Sequence, residues 1–181
     1  WTGALPIVRV LAVAPSPTKF HGIVLADVEY SREDFRCHIL ASYRLQAQSE
    51  DGGLTHLMKT CADIVSAYNV DYFVFEESGF GNWFRGDPTF ATFKDKVSVI
   101  YHRTTGKSKG HDEYGLQSLS ADFEFQHFTF PSGDTRGREM TAMLVEEALN
   151  WPDEPTDILM ATWLLKYNWR KFIPRSQIVT Q

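Results

Sequence analysis

The feature that most constrains the fold is an apolar segment that ends in two acids and runs into a loop with two glycines. Residues 70–77 read Val-Asp-Tyr-Phe-Val-Phe-Glu-Glu, and residues 78–81 read Ser-Gly-Phe-Gly. This density of β-branched and aromatic residues predicts a β-strand, in which Glu76 and Glu77 point to opposite faces of the sheet. A carboxylate at the end of a buried strand can hold a divalent cation against a phosphate oxygen. The alternative is that both acids only mark the point where the strand reaches solvent.

A second acidic position opens the last apolar segment. Asp157 precedes Ile-Leu-Met-Ala-Thr-Trp-Leu-Leu over residues 158–165. Because this segment is apolar nearly all round, it predicts a buried helix over residues 157–169. Asp157 can stabilise the helix dipole and cap free N–H groups there, or it can join Glu76 in a metal site that acts on a phosphodiester. The residues alone leave both interpretations open.

The composition is that of a globular protein without a strong attraction for polyanions. The chain has 181 residues, of which 43% are hydrophobic and 14% aromatic, enough for one domain with a substantial core. Its formal net charge of −5 argues mildly against non-specific binding to nucleic acid. Residues 102–111 and 166–175 are locally basic, and each stretch can either attract phosphate or form a solvated loop or tail. No apolar run approaches the ~20 residues of a membrane span, so no membrane partner is expected.

The order of the apolar segments predicts a mixed α/β fold. Alternation and β-branched residues predict strands over residues 7–14, 22–30, 35–45, 70–77, 97–101 and 125–130. Apolar residues at helical spacing predict helices over residues 53–68, 88–94, 112–123, 135–149 and 157–169. The first three strands predict an antiparallel meander, and the crossover helix that follows them predicts parallel strands beyond it. The aromatic side chains of residues 125–130 are expected in the core.

Four motifs stand out along the chain: Val-Phe-Glu-Glu-Ser-Gly-Phe-Gly at residues 74–81, Gly-Lys-Ser-Lys at 106–109, Phe-Thr-Phe-Pro at 128–131 and Thr-Asp-Ile-Leu-Met-Ala-Thr-Trp at 156–163. Taken in their order and spacing, they resemble the C-terminal nuclease domain of a tailed-bacteriophage terminase large subunit. The segment order matches over most of residues 7–170. The resemblance implies a ribonuclease-H-like mixed central sheet, with three antiparallel strands followed by parallel ones, flanked by helices. It also implies a single nuclease domain over residues 1–181, cut from a longer chain whose ATPase domain is absent.

The resemblance implies three acidic positions that hold two Mg²⁺ or Mn²⁺ ions. The second acid falls on Glu76, with Glu77 as the fallback, and the third falls on Asp157. At the first position, where the family has a metal-binding Asp, this chain has Ala14. Since a methyl group cannot ligate a cation, we expect an inactivated variant of a metal-dependent endodeoxyribonuclease. The alternatives are a wrong register or a natural loss of activity.

The resemblance also implies partners and a location. The expected substrate is double-stranded DNA, cut with little sequence preference, and Arg103, Lys107 and Lys109 are expected to contact its phosphates. The family implies a portal protein and a small terminase subunit as further partners, in the cytoplasm of the infected bacterial host and not in the mature virion. The rival interpretations are another ribonuclease-H-like nuclease, of the resolvase or transposase type, and a non-catalytic module that docks DNA or the portal.

Overall fold

Six strands form one mixed sheet within the described residues. The computed structural model describes residues 7–16, 19–30, 34–47, 53–77, 81–105, 111, 115–153 and 155–172, without the side chains of residues 81–83. The strands are β1 (Ile7–Ala14), β2 (Phe20–Tyr30), β3 (Phe35–Gln46), β4 (Tyr72–Glu76), β5 (Ser98–His102) and β6 (Phe128–Thr129). They lie in the order β5-β4-β1-β2-β3-β6.

The direction of the strands confirms the predicted mixed sheet. β1, β2 and β3 pair antiparallel, as expected for a meander joined by short turns. β4 pairs parallel to β1, and β5 pairs parallel to β4. Because parallel strands end at the same edge of a sheet, the carboxyl ends of β1, β4 and β5 lie side by side.

Six helices lie within the described residues, and two of them begin directly after an aspartate that caps the first turn. They are α1 (Leu54–Tyr68), α2 (Gly81–Gly86), α3 (Pro88–Phe93), α4 (Leu119–Glu124), α5 (Thr135–Asn150) and α6 (Asp157–Asn168), with 3₁₀ turns at Leu116–Ser118 and Trp169–Phe172. The Asp87 side chain accepts hydrogen bonds from the first backbone N–H groups of α3, and Asp134 accepts one at the start of α5. Each acid satisfies donors that the first turn of a helix leaves without a partner.

Three local predictions differ from the structure. The helix predicted over residues 112–123 is a 3₁₀ turn followed by α4, and residues 112–114 lie outside the described part. The strand predicted over residues 125–130 shrinks to β6, because Gln126 takes a left-handed conformation with φ 58° and turns the chain. Phe125 beside it is 70% exposed and therefore does not belong to the core. Finally, α2 forms in a segment that carried no helix prediction.

Helices cover both faces of the sheet. α1 and α3 pack on one face, against Leu11, Val13, Phe73 and Phe75. α6 packs on the opposite face, against Val10, Ala12, Ala14 and Val74. All residues from 158 to 165 are buried, which confirms the prediction of a buried helix. None of the described helices combines the length and apolar character that crossing a membrane requires.

Candidate active site

Ala14 and Glu76 lie side by side at the carboxyl ends of two parallel strands. In the register of β1 and β4, Val13 is opposite Phe75, and Ala14 and Glu76 are the next residues of the two strands. Adjacent strands lie ~4.8 Å apart. Ala14 is 4% exposed and Glu76 is 3% exposed. By strand alternation, Glu76 shares the face of Val74, which is the face that α6 covers.

Asp157 reaches the same edge of the sheet from the start of α6. Ala14 pairs with Gly22 of β2, and a Cβ atom built on Gly22 would lie 1.8 Å from the backbone oxygen of Asp157. Only a hydrogen atom at position 22 permits this approach of two backbones. The first residue of α6 therefore rests on the residue directly across from Ala14, and three segments of the chain converge at one end of the sheet.

Glu77 is held on the opposite face. Its Oε1 accepts a hydrogen bond of 2.6 Å from Nη2 of Arg85. The Arg85 guanidinium lies 4.5 Å from the centre of the Tyr101 ring, and Tyr101 packs with the core under α1 and α3. Of the two neighbouring acids, Glu76 is therefore the one on the same face as Ala14.

The three basic residues predicted to contact DNA are only partly described. Arg103 is exposed and directly follows His102, the last residue of β5, at the same edge as Glu76. Lys107 and Lys109 lie outside the described residues. Their contacts with DNA, and that of Arg103, stay predictions.

The acids present do not fit a complete two-ion site. Over the part of the chain that the structure describes, no three His, Cys, Asp or Glu side chains are grouped to hold a metal ion. Two catalytic ions lie ~3.5–4 Å apart and share bridging oxygen ligands. Glu76 and Asp157 can supply carboxylates, but Ala14 offers only a methyl group between β2 and β4. The donor set is short of an oxygen ligand at position 14.

A buried ion pair that sequence reasoning missed holds the start of α6. Arg44 of β3 lies directly across from Gly22, and its Nε donates a 2.7 Å hydrogen bond to Glu147 of α5. The other Glu147 oxygen accepts a 2.7 Å bond from the Leu159 backbone N–H in the first turn of α6. Glu147 is fully buried, and burial raises its pKa while the Leu159 and Arg44 donors act in the opposite direction. This pair ties α5 and β3 to the turn that carries Asp157.

His21 anchors Ser16, two residues beyond Ala14. Its side chain is buried, and its Nδ1 accepts a 3.0 Å hydrogen bond from the Ser16 backbone N–H. Burial, and to a smaller extent the proximity of His56, lowers the pKa of His21 from 6.5 to about 4. The folded protein therefore keeps His21 neutral in a pH range where the unfolded chain protonates it.

This burial predicts a loss of stability in acid. Between pH 6.5 and about 4, the unfolded chain binds a proton at His21 that the folded protein does not bind, so the free energy of unfolding falls as the pH falls. The expected contribution is on the order of 2 kcal/mol between neutral pH and about pH 4.5. Urea unfolding of the native and His21→Gln chains at both pH values measures it, because Gln keeps an acceptor for Ser16 without titrating. Equal losses in the two chains would assign the acid sensitivity to other groups.

Solved structures with a similar fold include viral terminase subunits and terminase nuclease domains. No protein-family model matches the sequence, and no curated protein is significantly similar to it. The manganese-soaked terminase nuclease domain of human cytomegalovirus matches with a TM-score of 0.54 and 11% identity, over 90% of this chain and 83% of that chain. The large terminase subunit fragment of bacteriophage Sf6 with calcium matches with a TM-score of 0.54 and 10% identity, over 90% and 87%.

A third structure shares the fold over part of its length. The large terminase of a thermophilic bacteriophage matches with a TM-score of 0.54 and 8% identity, over 90% of this chain but 39% of that chain. At identities this low, the matches show a common fold but not a common activity. The chain has the ribonuclease-H-like α/β fold of viral terminase nuclease domains, as its motifs predicted.

Proposed function

We propose that this chain is the nuclease domain of a viral DNA-packaging terminase, an endodeoxyribonuclease that cuts double-stranded DNA with little sequence preference. The observation that carries the proposal is the convergence of Ala14, Glu76 and Asp157 at one end of the sheet. These residues come from three segments far apart in the chain, and they are the three positions that the resemblance to the terminase family implies. The fold shared with terminase nuclease domains supports the same function.

In the active form of this domain, position 14 is an Asp that completes the acid set with Glu76 and Asp157. Two Mg²⁺ or Mn²⁺ ions held by such a set would supply charge stabilisation at a phosphodiester. Ala14 removes the first oxygen donor, so the chain as it stands is inactive. Glu77 takes no part, because Arg85 holds it on the other face of the sheet.

The proposal also covers the longer chain, the protein partners and the cellular location of the domain. It is a single domain of a longer chain that also carries an ATPase, and it works with a portal protein and a small terminase subunit in the host cytoplasm, without being retained in the mature virion. Arg103, Lys107 and Lys109 contact phosphates and position the duplex without reading its sequence. Binding to DNA should therefore weaken steeply as the salt concentration rises.

The Ala14→Asp variant tests the proposal directly. We expect it to cleave plasmid DNA in millimolar Mn²⁺ or Mg²⁺ at least about a hundredfold faster than the native chain, which corresponds to about 2.7 kcal/mol of activation barrier. An Asp in this buried place should lower the melting temperature without metal, because a charge there is poorly solvated. Added Mn²⁺ should raise it again, since an ion that binds only the folded state stabilises it.

Two matched variants serve as controls. Ala14→Asn has nearly the same shape as Ala14→Asp without the charge, and the double variant Ala14→Asp/Glu76→Gln lacks the second acid. Neither should cleave. A folded Ala14→Asp chain that neither cleaves DNA nor gains stability from Mn²⁺ would contradict the proposal and favour a docking module. Cleavage of branched substrates alone would instead favour the resolvase type.

A further inference from the structure

His102 is the polar neighbour of Glu76 on the adjacent strand. The two residues are register partners in the parallel pair of β4 and β5, and paired residues of neighbouring strands point to the same face. His102 is 5% exposed and Glu76 is 3% exposed. His102 lies outside the four motifs at residues 74–81, 106–109, 128–131 and 156–163.

The amide of Asn168, near the end of α6, settles which ring nitrogen of His102 carries the hydrogen. Asn168 Oδ1 accepts a 2.8 Å hydrogen bond from Lys171 Nζ, and an ammonium group can only donate. Asn168 Nδ2 donates a 2.9 Å bond to the carbonyl of Leu164, which can only accept. Both partners therefore fix the same orientation of the amide, with Nδ2 toward His102.

This orientation makes His102 Nδ1 an acceptor. Asn168 Nδ2 lies 3.3 Å from His102 Nδ1 and donates its second hydrogen there. A ring nitrogen that accepts a hydrogen bond carries no hydrogen, so the imidazole hydrogen is on Nε2.

Aromatic neighbours hold the His102 ring in place and leave its Nε2–H without an acceptor among the described residues. Trp163 and Tyr167 meet the His102 ring edge-on, with centroids 5.3 Å and 4.6 Å away. Nε2 is buried and has no hydrogen-bond partner within the described ranges. A buried donor without a partner is costly, and natural proteins retain one where it has a use.

We propose that His102 is a positioning residue whose Nε2–H donates to the Glu76 carboxylate and holds it toward position 14. The inference rests on the proposed function only in taking Glu76 as an acid of the active site. Lys171 fixes the amide of Asn168, and Asn168 in turn holds His102. The last residue of α6 thereby helps to orient Glu76, which lies at the same edge of the sheet as Asp157, the first residue of that helix.

Nuclear magnetic resonance of the native chain tests the arrangement without any metal. Long-range ¹H–¹⁵N spectra at neutral pH should show His102 with its hydrogen on Nε2. Its N–H proton should exchange slowly and resonate downfield, and Glu76→Gln should move it upfield. Glu77→Gln, the change one residue later on the opposite face, should leave it in place. A hydrogen on Nδ1, or an N–H signal that ignores Glu76→Gln, would overturn the proposal.

Substitution of His102 in the Ala14→Asp background tests the consequence. His102→Leu should lower the Mn²⁺-dependent cleavage rate and the Mn²⁺ affinity about 10- to 100-fold, the usual range for a group that orients a ligand. His102→Gln, which keeps a neutral N–H donor, should restore most of the loss. If both variants fold and lose activity equally, His102 does not act through donation. If Ala14→Asp never cleaves while the Glu76-dependent N–H signal is present, the proposed function fails and the contact between His102 and Glu76 stands.

Discussion

The Gly22→Ala variant is expected to lose about 4 kcal/mol or more of folding free energy, enough to unfold a protein of ordinary stability. The added Cβ would lie 1.8 Å from the Asp157 backbone oxygen, 2.2 Å from its carbonyl carbon and 2.9 Å from the Ile158 nitrogen. These are backbone atoms at the start of α6, so no side-chain rotation relieves the clash. Either α6 moves away from β2 or the variant fails to fold. Urea unfolding followed by tryptophan fluorescence measures the loss, because Trp163 is fully buried beneath the sheet.

Gly133→Ala is the matched control for this prediction. A Cβ at Gly133 meets no heavy atom within 4 Å, so its effect should stay within about 0.5 kcal/mol. A Gly22→Ala chain whose stability is within about 1 kcal/mol of the native value would mean that α6 does not rest on β2. The convergence of Asp157 with Ala14 would then lose its basis, and with it the geometric support for the proposed active site.

The Glu147→Ala variant is expected to be destabilised by about 3–5 kcal/mol. Removing the carboxylate leaves the Arg44 guanidinium, whose side chain is 17% exposed, without its buried partner. It also leaves the Leu159 backbone N–H without an acceptor in the first turn of α6. Breaking one half of a buried pair costs more than the pair contributes, because the remaining charge is poorly solvated. Denaturant unfolding of the variant measures this cost.

The neighbouring acid supplies the control. Glu146 lies 3.7 Å from Arg44, but its side chain is 58% exposed, so Glu146→Ala should cost at most about 1 kcal/mol. The double variant Arg44→Met/Glu147→Leu should recover part of the Glu147→Ala loss, because it removes both charges together. Equal effects of Glu146→Ala and Glu147→Ala would show that the buried pair does not hold α6.

The mixed sheet and the buried last helix could be predicted from the sequence because they depend on local patterns. A run of β-branched and aromatic residues predicted β4, and an apolar segment without a polar side predicted α6, since both signals lie within a few neighbouring residues. The short elements were harder to predict from the sequence. The 3₁₀ turn before α4 and the shortening of β6 depend on single turn residues, such as Gln126 with its positive φ.

Two of the missed residues left signals that could be recognised afterwards. Glu147 follows Met140 and Leu144 at helical spacing, which places it on the buried side of α5. Gly22 lies near the start of the apolar strand β2, and a glycine within a strand often marks the close approach of another backbone. Neither signal identifies the residue that contacts Glu147 or Gly22 in the folded protein. Arg44 and Glu147 are 103 residues apart in the chain, and the group that rests on Gly22 is even further away.

The sequence by itself determined the sheet, the acid at the end of β4 and the apolar helix after Asp157, because side-chain periodicity and hydrophobic burial are set by near neighbours in the chain. Only the tertiary structure decided that Glu76 rather than Glu77 shares the face of Ala14, that Asp157 rests on Gly22, and that Asn168 selects the tautomer of His102. Those outcomes depend on contacts between residues far apart in the chain. Packing decides which atoms meet there, and no local pattern contains that information.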